Sequence, residues 1–165
     1  MRRYLYLLLI TILIFGCKHK PKEKILSMNE SARPESELIK LIINKGDTLA
    51  YDELRISYLD YRPQDFLPYA LIMANKYNHP QACFDVYMCL WEIYGQTDYS
   101  LTLLDDLDSI TQKMAIDYLK KGVEYGHFQS MQTLGAYYFA GKYVDKNIEF
   151  GEQLIRKGDS LQNIW

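Results

Sequence analysis

Apolar residues recur along this chain at steps of three and four, the spacing of one helix face, and nowhere alternate for long as a strand would. The clearest stretch runs from Ala115 to Ser160 and reads as helix, glycine turn, helix, glycine-containing turn, helix. Gly126 ends one periodic segment, containing Ala115, Leu119 and Val123, and opens the next, where Ser130, Leu134, Tyr137, Tyr138 and Gly141 share a face. Upstream, Pro34 with Glu35 and Glu37 marks a helix start, since proline and acids suit a first turn. Leu38, Leu41, Ile42 and Lys45 carry that helix to Gly46, and Thr48 is the expected cap of a second helix that turns Ala50, Leu54, Tyr58 and Tyr61 inward. Pro63 opens a third, with Phe66, Ala70, Met73, Ala74 and Tyr77 on its face; Pro68 either delays its start or bends it. A fourth runs from about Pro80 to Tyr94.

The pattern repeats. Lys45 to Leu54 and Lys157 to Leu161 share Lys-Gly-Asp-Ser/Thr-Leu, which puts Gly46 and Gly158 in the role of Gly126. Aligned on these glycines, Ala50, Leu54 and Tyr58 fall on Ser130, Leu134 and Tyr138. A weaker copy at Tyr77 to Leu90 has Asn78 at the glycine position, His79 matching His127, and Ala82, Val86 and Leu90 in the small, large and large places. Gly46 to Asn78 and Gly126 to Gly158 are each 32 residues, whereas Asn78 to Gly126 is 48, an excess of 16. The excess falls near 95–110, where Leu101, Leu103, Leu104 and Leu107 are interleaved with Asp105, Asp106 and Asp108: a loop with a short helical turn, after which Asp108 or Ser109 caps the helix of Ala115.

The stretch from Leu134 to Ser160 resembles a Sel-one-like repeat, a relative of the tetratricopeptide repeat. Leu134, Gly135, Tyr138, Gly141, Val144, Asp145 and Gly158 match or nearly match its pattern, while Ile148 and Phe150 stand where alanines are usual. The resemblance covers about Ala115 to Leu161 and is loose over Glu35 to Tyr94. It implies an all-α fold of antiparallel helix pairs stacked as a short right-handed α-solenoid, with a curved surface that binds protein. First helices of each pair line that inner surface, so Tyr69, Tyr118 and Tyr125 are the expected partner-binding residues, tyrosine being suited to a half-wet interface.

Residues 1–16 read as a secretory leader: Arg2 and Arg3, an apolar run from Tyr4 to Phe15, then Gly16 followed at once by Cys17. The run is shorter than the ~20 residues a spanning helix needs. The Gly-Cys junction resembles a bacterial lipoprotein signal, which implies lipidation of Cys17; an ordinary cleaved signal or an uncleaved anchor with an incidental cysteine is the other reading. Residues 17–34 are polar, with Lys18, Lys20, Lys22 and Lys24 near the lipid, and form a flexible tether that either favours anionic headgroups or is simply solvated. The helical-repeat domain then occupies 35–165, Trp165 serving as a lid on the last repeat or as an exposed contact. The expected location is the bacterial cell envelope, lipid-anchored on the periplasmic or outer-membrane side.

Charge and chemistry narrow the function. Without the two leader arginines the balance is 17 basic against 21 acidic residues, and no basic stripe favours nucleic acid. Cys83 and Cys89, six apart on one helix, point about 120° away from each other, which makes an intrahelical disulfide poor. His79 and His127 sit at equivalent helix starts, where repetition argues for structure. The Asp-Asp-Leu-Asp run lacks the glycine and terminal glutamate of a calcium loop. No metal, cofactor, catalytic residue or small-molecule substrate is expected. The function implied is a membrane-held scaffold or adaptor for an unidentified protein partner; the alternatives are an immunity-type or protective lipoprotein that sequesters a toxin or enzyme, and a hydrolase with a dispersed site.

Overall fold

The structure is a computed structural model and describes residues 33–58, 63–92 and 101–162. Their regular structure is all helical, with no strand among them: α1 (Glu35–Lys45), α2 (Thr48–Tyr58), α3 (Pro63–Lys76), α4 (Pro80–Glu92), α5 (Ser109–Glu124), α6 (Phe128–Ala140) and α7 (Ile148–Gln162). The all-α expectation is met. Cys17, Tyr61, the Gly95–Ser100 stretch and Trp165 lie outside the described residues.

Three of the turns are built alike. Gly46, Asn78 and Gly126 adopt left-handed backbone conformations, with φ of 63°, 53° and 83°. Asparagine tolerates this region better than other side chains, so Asn78 does take the glycine's role. The next residue then caps the following helix with its side chain. Asp47 Oδ1 accepts from the Ala50 amide at 2.8 Å, His79 Nδ1 from Ala82 at 3.3 Å, and His127 Nδ1 from Ser130 at 3.2 Å. The donating amide belongs each time to the small residue of the buried face, so capping and packing are set by one register. Ala50, Leu54 and Tyr58, then Ala82, Val86 and Leu90, then Ser130 and Leu134 are all buried, while Tyr138 is half-buried and Tyr137 beside it goes deeper.

Four expectations need correction. The cap of α2 is Asp47, because a carboxylate placed directly after the left-handed Gly46 already reaches the Ala50 amide; Thr48 is the first helical residue. Of the two readings of Pro68, a delayed start is ruled out, because α3 is already helical from Pro63 and runs on to Lys76. Gly141 is not on the buried face of α6: it ends that helix in a left-handed conformation (φ 72°) and is exposed. Gly158 is not a turn glycine. It is buried inside α7, where an added Cβ would lie 2.9 Å from the Phe128 carbonyl oxygen and 2.8 Å from Gln132, so closeness to α6 is what requires glycine there.

Helices pack on their neighbours in the chain, and α1 also reaches α3 as α4 reaches α6. The contact of α6 with α7 is made backbone to backbone. A Cβ on Gly135 would stand 2.8 Å from the Gly151 carbonyl oxygen, and one on Gly151 would stand 2.7 Å from the Gly135 oxygen and 2.8 Å from the Phe139 amide nitrogen. The segment before α5 is held by buried Leu103, Leu104 and Leu107, and by Gln112 Nε2 donating to the Leu104 and Leu107 carbonyls. Asp108 caps α5 through the amides of Ile110 and Thr111. No described helix is long and apolar enough to cross a membrane.

Candidate functional site

A chain of buried polar side chains crosses the middle of the fold, where α2, α4 and the start of α6 meet. Asp85 projects from α4 into the core and is 4% exposed. Its Oδ2 accepts from the Tyr51 hydroxyl of α2 at 2.7 Å, its Oδ1 from Gln81 Nε2 at 2.8 Å, and the Arg55 guanidinium stands 3.8 Å away. Gln81 continues the chain, its Oε1 lying 3.0 Å from His127 Nε2. The proton positions follow from the donors. A backbone amide can only donate, so the Ser130 amide makes His127 Nδ1 an acceptor, and the ring carries its hydrogen on Nε2, donating to Gln81 Oε1. The Ser130 hydroxyl, 3.0 Å from the same Nδ1, donates to it.

Burial shifts these groups in opposite directions. It raises Asp85 to about 6, against the opposing pull of Arg55 and the Tyr51 and Gln81 hydrogen bonds. Burial lowers His127 to about 4, helped by His79 and Arg55, and it also lowers His79. Near neutral pH the network therefore contains an ionised Asp85 facing only donors and an uncharged His127. Burial likewise raises the Tyr51 hydroxyl, and it pushes Cys83 to about 11 and Cys89 to about 12, so both free, buried thiols stay protonated and unreactive. Ser130 has no exposed surface, and its Oγ lies 2.3 Å from where a Cβ on Gly122 would be. It is a packing residue at a helix crossing, and the proximity of His127 does not present it to a substrate.

On the outside, the structure brings two of the three expected partner-binding residues together. Tyr118 and Tyr125 lie one above the other on α5 with Lys121 between them, its ammonium 5.9 and 5.8 Å from the two ring centres. They also fasten α5 to the end of α3. Asn75 Nδ2 donates to the Tyr118 hydroxyl at 2.6 Å, Tyr125 donates to Asn78 Oδ1 at 2.8 Å, and Lys121 donates to Asn75 Oδ1 at 2.9 Å. Tyr69 is half-buried on α3 and packs against the core. About a third of a turn round α5, a groove of about 500 Å³ is lined by Lys120, Tyr138, Tyr143, Val144 and Asp145. Lys120 and Tyr143 also border an adjoining hollow of about 230 Å³ with Ser109, Lys113 and Asp117. Its floor is stiff: Tyr143 and Lys142 both donate to Asp105, at 2.6 and 2.8 Å, and the Tyr143 ring meets Tyr137 edge-on. No family model, no curated protein and no solved structure matches the chain.

Sequence reasoning missed the buried network. One signal was present: Asp85 is the only charged residue in the run from Pro80 to Trp91, and an acid among Phe84, Val86 and Tyr87 needs donors around it. Among the described residues no cluster of histidine, cysteine and acidic side chains is arranged to hold a metal ion. The Asp105 and Asp108 carboxylates, which raised that question, are engaged by Lys142 and Tyr143 and by the amides of α5.

Proposed function

We propose that this chain is a lipid-anchored protein of the bacterial cell envelope whose helix pairs stack as a short right-handed solenoid and serve as a scaffold or adaptor for a protein partner. The observation that carries the reading is the thrice-repeated turn, in which a left-handed residue, a capping side chain and a small packing residue follow one another at 46–50, 78–82 and 126–130. A unit used three times, with each helix packed on those adjacent or next but one in the chain, is how a repeat stack is built. The anchor rests on the leader and Cys17. The partner surface is the outward strip of α5, from Tyr118, Lys121 and Tyr125 across to the groove beside Lys120 and Tyr143. Its stiff floor lowers the ordering cost of association.

The test is in-cell crosslinking and affinity capture of the native protein beside Cys17→Ala and Lys120→Glu, with membrane fractionation. The proposal predicts one partner captured at near-equal amounts, weakened capture by Lys120→Glu, and loss of Cys17→Ala from the membrane. Membrane-bound Cys17→Ala would defeat the anchor, and no captured protein from any form would defeat the scaffold.

A further inference from the structure

The two hollows beside α5 join into one trough, because Lys120 and Tyr143 line both. From Ser109 to Lys120 its α5 wall runs about 16 Å, the length of about five residues of extended chain. The lining has only Ile116 and Val144 as aliphatic side chains, too little for a helix, which docks through an apolar face. The other side is formed by Tyr138 and residues 143–145, and there the main chain is open: among the described residues no backbone hydrogen bond uses the amide or carbonyl of Val144 or Asp145. A polar slot edged by unpaired main chain suits an extended polypeptide. The ring that divides the two hollows is kept at a cost. Tyr143 is held at φ 57°, a left-handed backbone that a bulky side chain enters only against its own sterics. Such strain persists where the surroundings fix it, here by the bond to Asp105 and the edge-on contact with Tyr137, and it gathers at ligand clamps.

The charges sort in a way that says what the segment carries. Lys113 pairs with Asp117, and Lys142 with Asp105. Lys120 and Asp145 are both exposed, and neither has an ion-pair partner among the described residues. We infer that the trough binds an extended polypeptide segment of the partner, held by main-chain hydrogen bonds at Val144 and Asp145 and by the Tyr143 ring, with an acidic side chain against Lys120 and a basic one against Asp145. This rests on the reading of the chain as a scaffold for a protein, and it narrows that protein to one offering a short, extended segment of mixed charge. Exposed ion pairs are weak and screened by salt, so the main chain and the ring supply most of the affinity and the two charges supply selectivity.

The full chain, purified in detergent, is panned against a displayed library of random heptapeptides, and the enriched peptides are labelled with fluorescein for anisotropy. They are expected to carry an acidic and a basic residue and no long apolar run. Lys120→Glu should weaken them about fivefold, and exchanging the peptide's acid for lysine should restore binding to that variant; Lys40→Glu, the same charge change on α1, should leave binding unaltered. Tyr143→Gly adopts the left-handed turn without strain, so it should fold, as circular dichroism checks, and lose binding by about tenfold or more. No enriched peptide, equal weakening by Lys40→Glu, no rescue by the exchanged charge, or full binding by folded Tyr143→Gly would each overturn the inference. Binding of labelled chitohexaose in place of peptide would assign the trough to a sugar chain and overturn it too. A partner captured from cells while the peptide selection stays empty would overturn this inference and leave the scaffold standing, whereas failure of both would remove the scaffold as well.

Discussion

The junction of α2, α4 and α6 and the contact of α6 with α7 solve the same problem by opposite means. At the junction the backbones stay apart and the space is filled by Tyr51, Asp85, Gln81 and His127, whose polar atoms satisfy one another through directed hydrogen bonds. Between α6 and α7 the side chains are removed instead, and Gly135, Gly151 and Gly158 let the backbones touch. The first arrangement is specific because every donor needs its acceptor, and the second because no added atom fits. Removing a group should therefore damage the junction most, and adding one should damage the α6–α7 contact most.

The largest expected effect is at the junction. Asp85→Ala leaves the Tyr51 hydroxyl, the Gln81 amide and Arg55 without their acceptor, and should lower unfolding free energy by about 3 kcal/mol, read from urea denaturation. Asp85→Leu should be no better, since it also leaves the donors unpaired. A loss below about 0.5 kcal/mol would show that the network is not closed as described.

Next comes the glycine contact, where two effects compete. Helix propensity alone makes Gly151→Ala stabilising by about 1 kcal/mol, while pressing a methyl group against the Gly135 oxygen and Phe139 nitrogen costs about 1–3 kcal/mol or more. These neighbours are backbone atoms that cannot rotate away, so a net loss of about 2 kcal/mol is expected. A rise in stability would mean that α6 and α7 stand further apart.

Titration separates the two charged ends of the junction. Asp85 is raised by burial to about 6, so its contribution is present below its ordinary carboxylate range and lost as pH rises through about 6. His127 is lowered by burial to about 4, so its contribution is present above the ordinary histidine range and lost as pH falls through about 4. Between roughly pH 4 and 6.5 the two slopes oppose each other. Asp85→Asn should unmask stability that rises with pH across this window, and His127→Asn, which keeps a capping side chain, should unmask stability that falls. Each change should amount to about 1–2 kcal/mol in thermal or urea unfolding. Like slopes in both variants would contradict the assignment.

The smallest effect isolates the turn. No atom lies within 4 Å of a Cβ placed on Gly126, so Gly126→Ala suffers only from its left-handed backbone (φ 83°), and about 1 kcal/mol should be lost. Gly126→Asn should recover part of it, as Asn78 does naturally at the matching turn.

The helices and their buried faces were legible because they depend on periodicity, and Ala50, Ala82 and Ser130 could be matched by register alone. What escaped was anything decided by a distant neighbour. Lys-Gly-Asp occurs twice, yet at 45–47 it closes a helix against the Tyr77 ring and at 157–159 it continues one against the α6 backbone. Local sequence is the same, and the partner decides. Asp85 was readable as an oddity, but its donors come from 30 and 34 residues upstream and from Gln81, spacings that no helical pattern announces. Tyr118 and Tyr125 stand out in the sequence for their type and position; that Lys121, Asn75 of α3 and Asn78 of the turn after it would gather them was not readable.

Stacking of neighbouring helix pairs, with each contact set locally, is the claim on which the functional proposal stands, and native-state hydrogen exchange on Gly151→Ala beside the parent tests it most directly. If the pairs are held by nearest neighbours, amides of α6 and α7 should lose protection while those of α1 to α3 keep it. Equal loss of protection in every helix would show one indivisible core, and the solenoid reading would be wrong.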